Sequence, residues 1–224
     1  FATEAPRWTD FFPADSIDEA AAVRGQAVFA ERCASCHGTY DKGWDAADAD
    51  SRGAAARLET VNVVYHGQTP VFDVGTDLQR ATGGAAFVER LNQLRIIEDA
   101  GARFEAVEGY VPPPLDGIWA RYPYLHNNSV PTLCDLLSPP DARPTEFWQG
   151  PADDAETDFD ADCVGYPVGD AVPASWREDD DAHFDATLPG LSNAGHDAML
   201  RDADGRWDLT EGDRDDLIQF LKTL

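Results

Sequence analysis

Cys33-Ala34-Ser35-Cys36-His37 constrains this chain more than any other stretch of it. Two cysteines separated by two residues, with histidine directly after, match the attachment signature of a c-type haem. In that chemistry each thiol adds across a vinyl group of the porphyrin. The adjacent His37 is then close enough to bind the iron as proximal ligand. A bare CxxC would equally suit a redox dithiol or half of a zinc site. The histidine in the next position separates those readings.

The 224 residues fit one large domain, or one domain with a substantial insertion. Hydrophobic residues make up 43% and aromatics 10%, enough for a packed core, so wholesale disorder is excluded. The formal net charge is −25, which repels nucleic acid and anionic lipid. A basic redox partner could be steered in by such a field. The plainer alternative is a strongly solvated surface, as in proteins from salty surroundings. No run of about 18 apolar residues occurs, so no membrane span is expected. The start at Phe1 suggests a processed mature protein or an excised domain. Haem attachment to this motif outside the bacterial cytoplasm implies a periplasmic or extracellular location. Cys134 and Cys163 fit that compartment. A disulfide between them is the preferred reading, stabilising by roughly 3–4 kcal/mol in the chain-entropy model; two buried thiols are the alternative.

Along the chain, residues 1–15 carry Trp8, Phe11 and Phe12 between prolines and read as an extended arm docking on the body. Ser16 with Glu19 reads as a capping box opening a helix through Val23, Ala27 and Phe29 into the CxxCH. Gly25 on that helix would allow close approach of another. Thr210 with Asp213 caps a final helix bearing Leu217, Ile218, Phe220, Leu221 and Leu224. In between, Val61–Tyr65 reads as a strand or an extended strip along the haem. Residues 84–99 read as a helix with Phe87, Leu91, Leu94 and Ile97 on one face. Pro112-Pro113-Pro114 stops regular structure, and Pro131–Leu137 reads as a short helix with Pro in its first turn. Residues 138–190 form a long loop region, organised by the 134–163 bridge.

The sixth coordination position has several claimants. Met199 is the chain's single methionine and would give a high-potential His/Met carrier. His196 follows Gly195 in a run of small residues that lets backbone pass close to a flat ring. His126 lies in Tyr122-Pro123-Tyr124-Leu125-His126-Asn127-Asn128, where a hydrogen-bonded or propionate-bound histidine is the plainer reading. An open or water-filled position completes the set. His66 and His183 read as surface or hydrogen-bonded residues.

The stretch from Pro114 to Leu133 is similar to a segment of bacterial di-haem cytochrome c peroxidases and their relatives. Leu188-Pro189-Gly190-Leu191-Ser192-Asn193-Ala194-Gly195-His196 resembles the corresponding segment of rubber-oxygenase-type cytochromes. The resemblance implies that His37 and His196 both bind the iron, as in the C-terminal haem of that group. Those relatives carry two haem motifs and this chain has one CxxCH, so it resembles their electron-transferring half. Cys134 stands where that segment leads one to expect an aromatic, which favours a local disulfide.

A helix before the motif and another closing the chain is the arrangement of a class I-like cytochrome c. The expected fold is therefore mainly α, a class I-like cytochrome c fold with long loop insertions. An arm at 1–15 would precede a mono-haem domain at 16–224. The cofactor-binding set is Cys33, Cys36, His37 and His196, holding one covalent haem c. With both axial positions filled, the expected function is one-electron transfer between redox proteins rather than catalysis. A haem peroxidase or oxygenase, or an electron-delivering domain of a larger secreted oxidoreductase, is the alternative. Arg52, Arg57, Arg95 and Arg121 are candidate propionate partners. Trp119, Tyr122 and Tyr124 read as core or pocket wall. Asp202, Asp204 and Asp208 superficially suggest a calcium loop, but its glycine and closing glutamate are misplaced, and a solvated acidic turn fits better.

Overall fold

The computed structural model describes residues 5–65, 71–106 and 109–224, with backbone alone at 80 and 81. Glu19–Arg32 form α1. Asp18 caps it, its carboxylate accepting from the Ala21 N–H at 3.0 Å. The expected cap, Ser16, is two residues off. Its hydroxyl is committed elsewhere, accepting from the Trp8 indole and donating to the Pro13 carbonyl. Glu19 likewise turns to Arg57, 2.5 Å away. α1 runs directly into Ala34–His37, the single turn α2 that carries the CxxCH. Thr39–Lys42 (β1) pairs antiparallel with Thr60–Val64 (β2), which follows the short helix Ala54–Leu58 (α3).

The helix expected over residues 84–99 is instead two. Gln79–Asn92 (α4) and Arg95–Asp99 (α5) are split at Leu94, whose φ of −74° and ψ of 130° are extended. Phe87 and Leu94 lie exposed, so that apolar stripe is not a core face. Leu133–Leu136 form α6, capped by Thr132 rather than led by Pro131. The disulfide Cys134–Cys163 fastens α6 to the following region, and Leu133 N–H adds a bond to the Cys163 carbonyl. The long stretch 138–190 is more regular than its Pro, Gly and Asp content suggests. It holds Glu146–Trp148 (β3), Ala174–Arg177 (α7) and His183–Asp185 (β4), with β3 and β4 paired antiparallel. Glu211–Leu221 (α8) closes the chain, capped by Thr210 as expected.

Helix dominates, beside two small two-stranded sheets among the described residues. None of the helices described is long and apolar enough to cross a membrane. The central packing is α1 against α8. Phe29 meets Phe220 with ring centroids 5.1 Å apart, and Arg24 forks onto Asp216 at 2.6 and 2.7 Å. Gly25 makes the approach possible, because a Cβ there would overlap the Asp216 carbonyl. Of the arm expected at 1–15, residues 1–4 lie outside the described residues; the remainder docks on the body but is not extended throughout. Trp8–Asp10 and Ala14–Ser16 are short 3-10 turns. Trp8 is buried, stacked on Phe12 at 4.3 Å and edge-on to Trp119 at 5.3 Å.

The chain has two lysines, Lys42 and Lys222, and both are buried. Lys42 Nζ donates to Thr60 Oγ1 at 2.8 Å and to the Thr223 carbonyl at 2.5 Å, tying β1 to the end of the last helix. Burial pulls its pKa down to about 7, against a smaller opposing pull from Asp116, Asp45 and Glu59. Two predictions follow from this packing. Gly25→Ala overpacks the helix crossing and lowers unfolding free energy by about 1–3 kcal/mol in urea titration. Between pH 7 and the ordinary lysine pKa, the unfolded chain holds a Lys42 proton that the native one lacks. Unfolding free energy therefore rises with pH in that window, by up to ~1.4 kcal/mol per unit from this residue. Lys42→Met removes that share of the slope.

Candidate functional site

α1 ends where α2 begins, so Cys33, Cys36 and His37 enter one cavity from a single turn. The cavity measures about 700 Å³, well within the range of small-molecule and cofactor sites. Its walls are largely apolar and include Leu115, Leu125, Leu136 and Leu217. Cys33 is raised to about 12, first by burial and then by the neighbouring Cys36 thiol. Burial thus keeps the Cys33 thiol protonated.

His37 is held by its backbone partner. Its Nδ1 donates to the Pro113 carbonyl at 2.9 Å, since a carbonyl can only accept. That bond puts the proton on Nδ1 and leaves the Nε2 lone pair for a metal. Tyr40 braces the same corner, its hydroxyl donating to the His37 carbonyl at 3.3 Å and accepting from Leu115 N–H at 2.6 Å. The three prolines that end regular structure thus form a rigid strip beside the motif.

His196 also borders the cavity. Its ring centroid lies 6.2 Å from that of His37, with the planes tilted by 53°. Two imidazoles bound to opposite faces of one metal, at ~2.0 Å per bond, bring their centres to about 6 Å once ring radii are added. The observed spacing therefore fits a single iron between them. His196 is pushed down to about 4, chiefly by burial, with His37 and Arg143 adding repulsion; the ring is neutral and able to ligate. Its Nδ1 is buried without a hydrogen-bond partner among the described residues.

The loop that presents His196 is built from unusual backbone. Gly195 has φ +83° and His196 φ +55°. A Cβ at Gly195 would overlap the backbone of Gly75 and Thr76. The His196 N–H donates to the Val74 carbonyl at 2.6 Å. From the other side, Asn127 Nδ2 donates to the Gly190 and Ser192 carbonyls, and Ser129 Oγ donates to Ser192 as well. The two stretches that carry the family resemblance thus meet in space.

Met199 and His126 border the same cavity. His126 stacks on Tyr110 with centroids 4.5 Å apart. His183 lies apart, 3.9 Å from Glu146, and His66 lies outside the described residues. Of the four arginines considered, Arg121 alone lines the cavity, while donating to the Pro114 and Asp116 carbonyls. Arg52, Arg57 and Arg95 pair with Asp48, Glu19 and Asp99. Tyr124 contributes to the wall; Trp119 and Tyr122 pack in aromatic clusters behind it. β2 does not run along the cavity but presents Val61, Val63 and Val64 outward. The Asp202–Asp208 turn is self-satisfied. Asp202 Oδ1 accepts two backbone N–H bonds, and Asp208 meets Arg32 at 2.7 Å. Among the described residues no cluster of three or more His, Cys, Asp or Glu could hold a metal ion.

Sequence reasoning missed the partners of both histidines. The Pro113 and Val74 carbonyls carry no side-chain signal. Arg143, described below, had only the scarcity of cations to flag it.

Residues 109–149 match the family of RoxA-like, cytochrome c-like domains. That segment contains the proline strip, Tyr124, Asn127, Ser129 and α6. The chain is also similar to two proteins of Sinorhizobium fredii. It is 31% identical to y4iJ, over 98% of this chain and 41% of that protein. It is 32% identical to y4iM, over 95% and 50% respectively. The chain thus spans half or less of the length of these relatives. Gly195→Ala is expected to force the His196 loop off the 74–76 backbone and lower stability by about 1–3 kcal/mol. Thermal or urea unfolding measures it.

Proposed function

We propose that this chain is a mono-haem c-type cytochrome that relays single electrons. The observation that carries the reading is the 6.2 Å spacing of the His37 and His196 rings across a cavity into which Cys33 and Cys36 also open. Cys33 and Cys36 would form the thioethers, with His37 and His196 as the axial pair. A haem held this way supplies reversible one-electron chemistry at its iron. The polypeptide's share would be to offer an imidazole from each side, line the cavity with apolar walls, and hold the His37 proton on Nδ1 against the Pro113 carbonyl. With substrate denied the iron, electron relay is favoured over peroxidase or oxygenase chemistry. Two histidines also favour a lower potential than a His/Met pair.

The class I-like cytochrome c fold belongs to the same reading, supported by α1 crossing α8 beside the cavity. The Cys134–Cys163 disulfide supports a periplasmic or extracellular location. The net charge of −25 favours basic donors or acceptors. Since the relatives are at least twice as long as the stretch they share with this chain, it would act either as a carrier or as the electron-delivering part of a larger oxidoreductase.

Expression alongside a maturation system should yield the mass of the chain plus one haem, and a ferrous form that resists carbon monoxide. His196→Ala should open the iron to carbon monoxide, whereas Met199→Leu should leave the spectrum unchanged. Loss of the ligand spectrum in Met199→Leu, with none in His196→Ala, would transfer the role to Met199.

A further inference from the structure

Arg143 is 4% exposed, yet among the described residues it makes no ion pair. Its guanidinium instead donates to five backbone carbonyls. Nε reaches Asp135 at 3.0 Å and Ser138 at 3.3 Å, and Nη2 reaches Leu136 at 3.1 Å, all at the end of α6. Nη1 reaches Asn193 at 2.5 Å and Gly195 at 2.9 Å, in the loop that carries His196. One buried cation therefore joins the disulfide-fastened α6 turn to the residue directly before His196.

That residue and His196 are both in the left-handed region. For histidine this conformation is strained and persists only where the surroundings over-determine it. The Val74 carbonyl holds the His196 N–H from one side, and Arg143 holds the Gly195 carbonyl from the other. A planar fork with five donors suits this task. A lysine, with three donors on one atom, cannot span both loops.

We propose that Arg143 is the positioning residue for the sixth ligand: its guanidinium clamps the Gly195–His196 turn so that the imidazole faces His37. The inference rests on the assignment of His196 as a ligand. Groups that support ligands in this way typically change metal binding by 10–100-fold when removed.

The test compares four holoproteins: wild type, Arg143→Gln, Arg143→Lys, and Trp176→Ala. The last destabilises the fold at a buried residue outside the cavity lining. Far-ultraviolet circular dichroism checks folding, electron paramagnetic resonance of the ferric forms reads the ligands, and stopped flow reads carbon monoxide binding to the ferrous forms. Both Arg143 variants should fold, show iron lacking its second imidazole, and bind carbon monoxide about 10–100-fold faster than wild type. Added imidazole should restore the two-nitrogen spectrum. Trp176→Ala should keep wild-type ligation despite lower stability. Wild-type spectra and rates in either Arg143 variant overturn the clamp. So does release of the ligand in Trp176→Ala, and so does failure of both Arg143 variants to fold, which would make Arg143 a residue of the fold as a whole. A wild-type protein lacking two nitrogen ligands overturns the ligand assignment itself and the clamp with it.

Discussion

The docking of the residue 189–197 loop onto the segment 109–149 sets the distance between His37 and His196, and with it the geometry of the cavity. A helix alone orients neither histidine. His37 sits at the end of a one-turn helix and takes its orientation from the Pro113 carbonyl. His196 sits in a left-handed turn and takes its position from Val74, Arg143, Asn127 and Ser129 through the loop around it. Both histidines thus depend on hydrogen bonds to backbone carbonyls, which are directional and cost free energy when left unmade in a buried site.

Behind that contact lies a frame that keeps the two loops in register. α1 and α8 cross at Gly25, close enough to bring Phe29 and Phe220 into contact. The disulfide fastens α6, and Thr132 caps it, so the carbonyls that receive Arg143 belong to a braced turn. Surface charge contributes little here. Arg7, Arg95 and Arg206 pair with carboxylates at exposed sites, where an ion pair is worth about 0–1 kcal/mol. The buried basic side chains Lys42, Lys222 and Arg143 matter more, because each satisfies backbone or aromatic groups inside the fold.

The parts legible in the sequence were those with local signatures. The Thr210 cap and the small residue at Gly25 carry their meaning within a few residues, and the Cys134–Cys163 pairing, 29 residues apart, could be read from an even count of cysteines outside the CxxCH. The parts that were not legible depend on competition between distant groups. Ser16 looks like a cap, but the Trp8 indole claims its hydroxyl and Asp18 takes over. Phe87 and Leu94 mark a helical stripe, but a break at Leu94 leaves it outside the core. Val61 to Val64 form a strand, yet it pairs with β1 and leaves its valines exposed rather than lining the cavity. For His196 the resemblance named the residue, while the left-handed backbone and the arginine behind it came only with the structure.

The near-infrared spectrum of the ferric holoprotein tests the central claim most directly, because its charge-transfer band distinguishes two imidazole ligands from imidazole plus thioether and from an open iron. The account predicts the two-imidazole band. A thioether band, or a high-spin iron with one histidine, would contradict it.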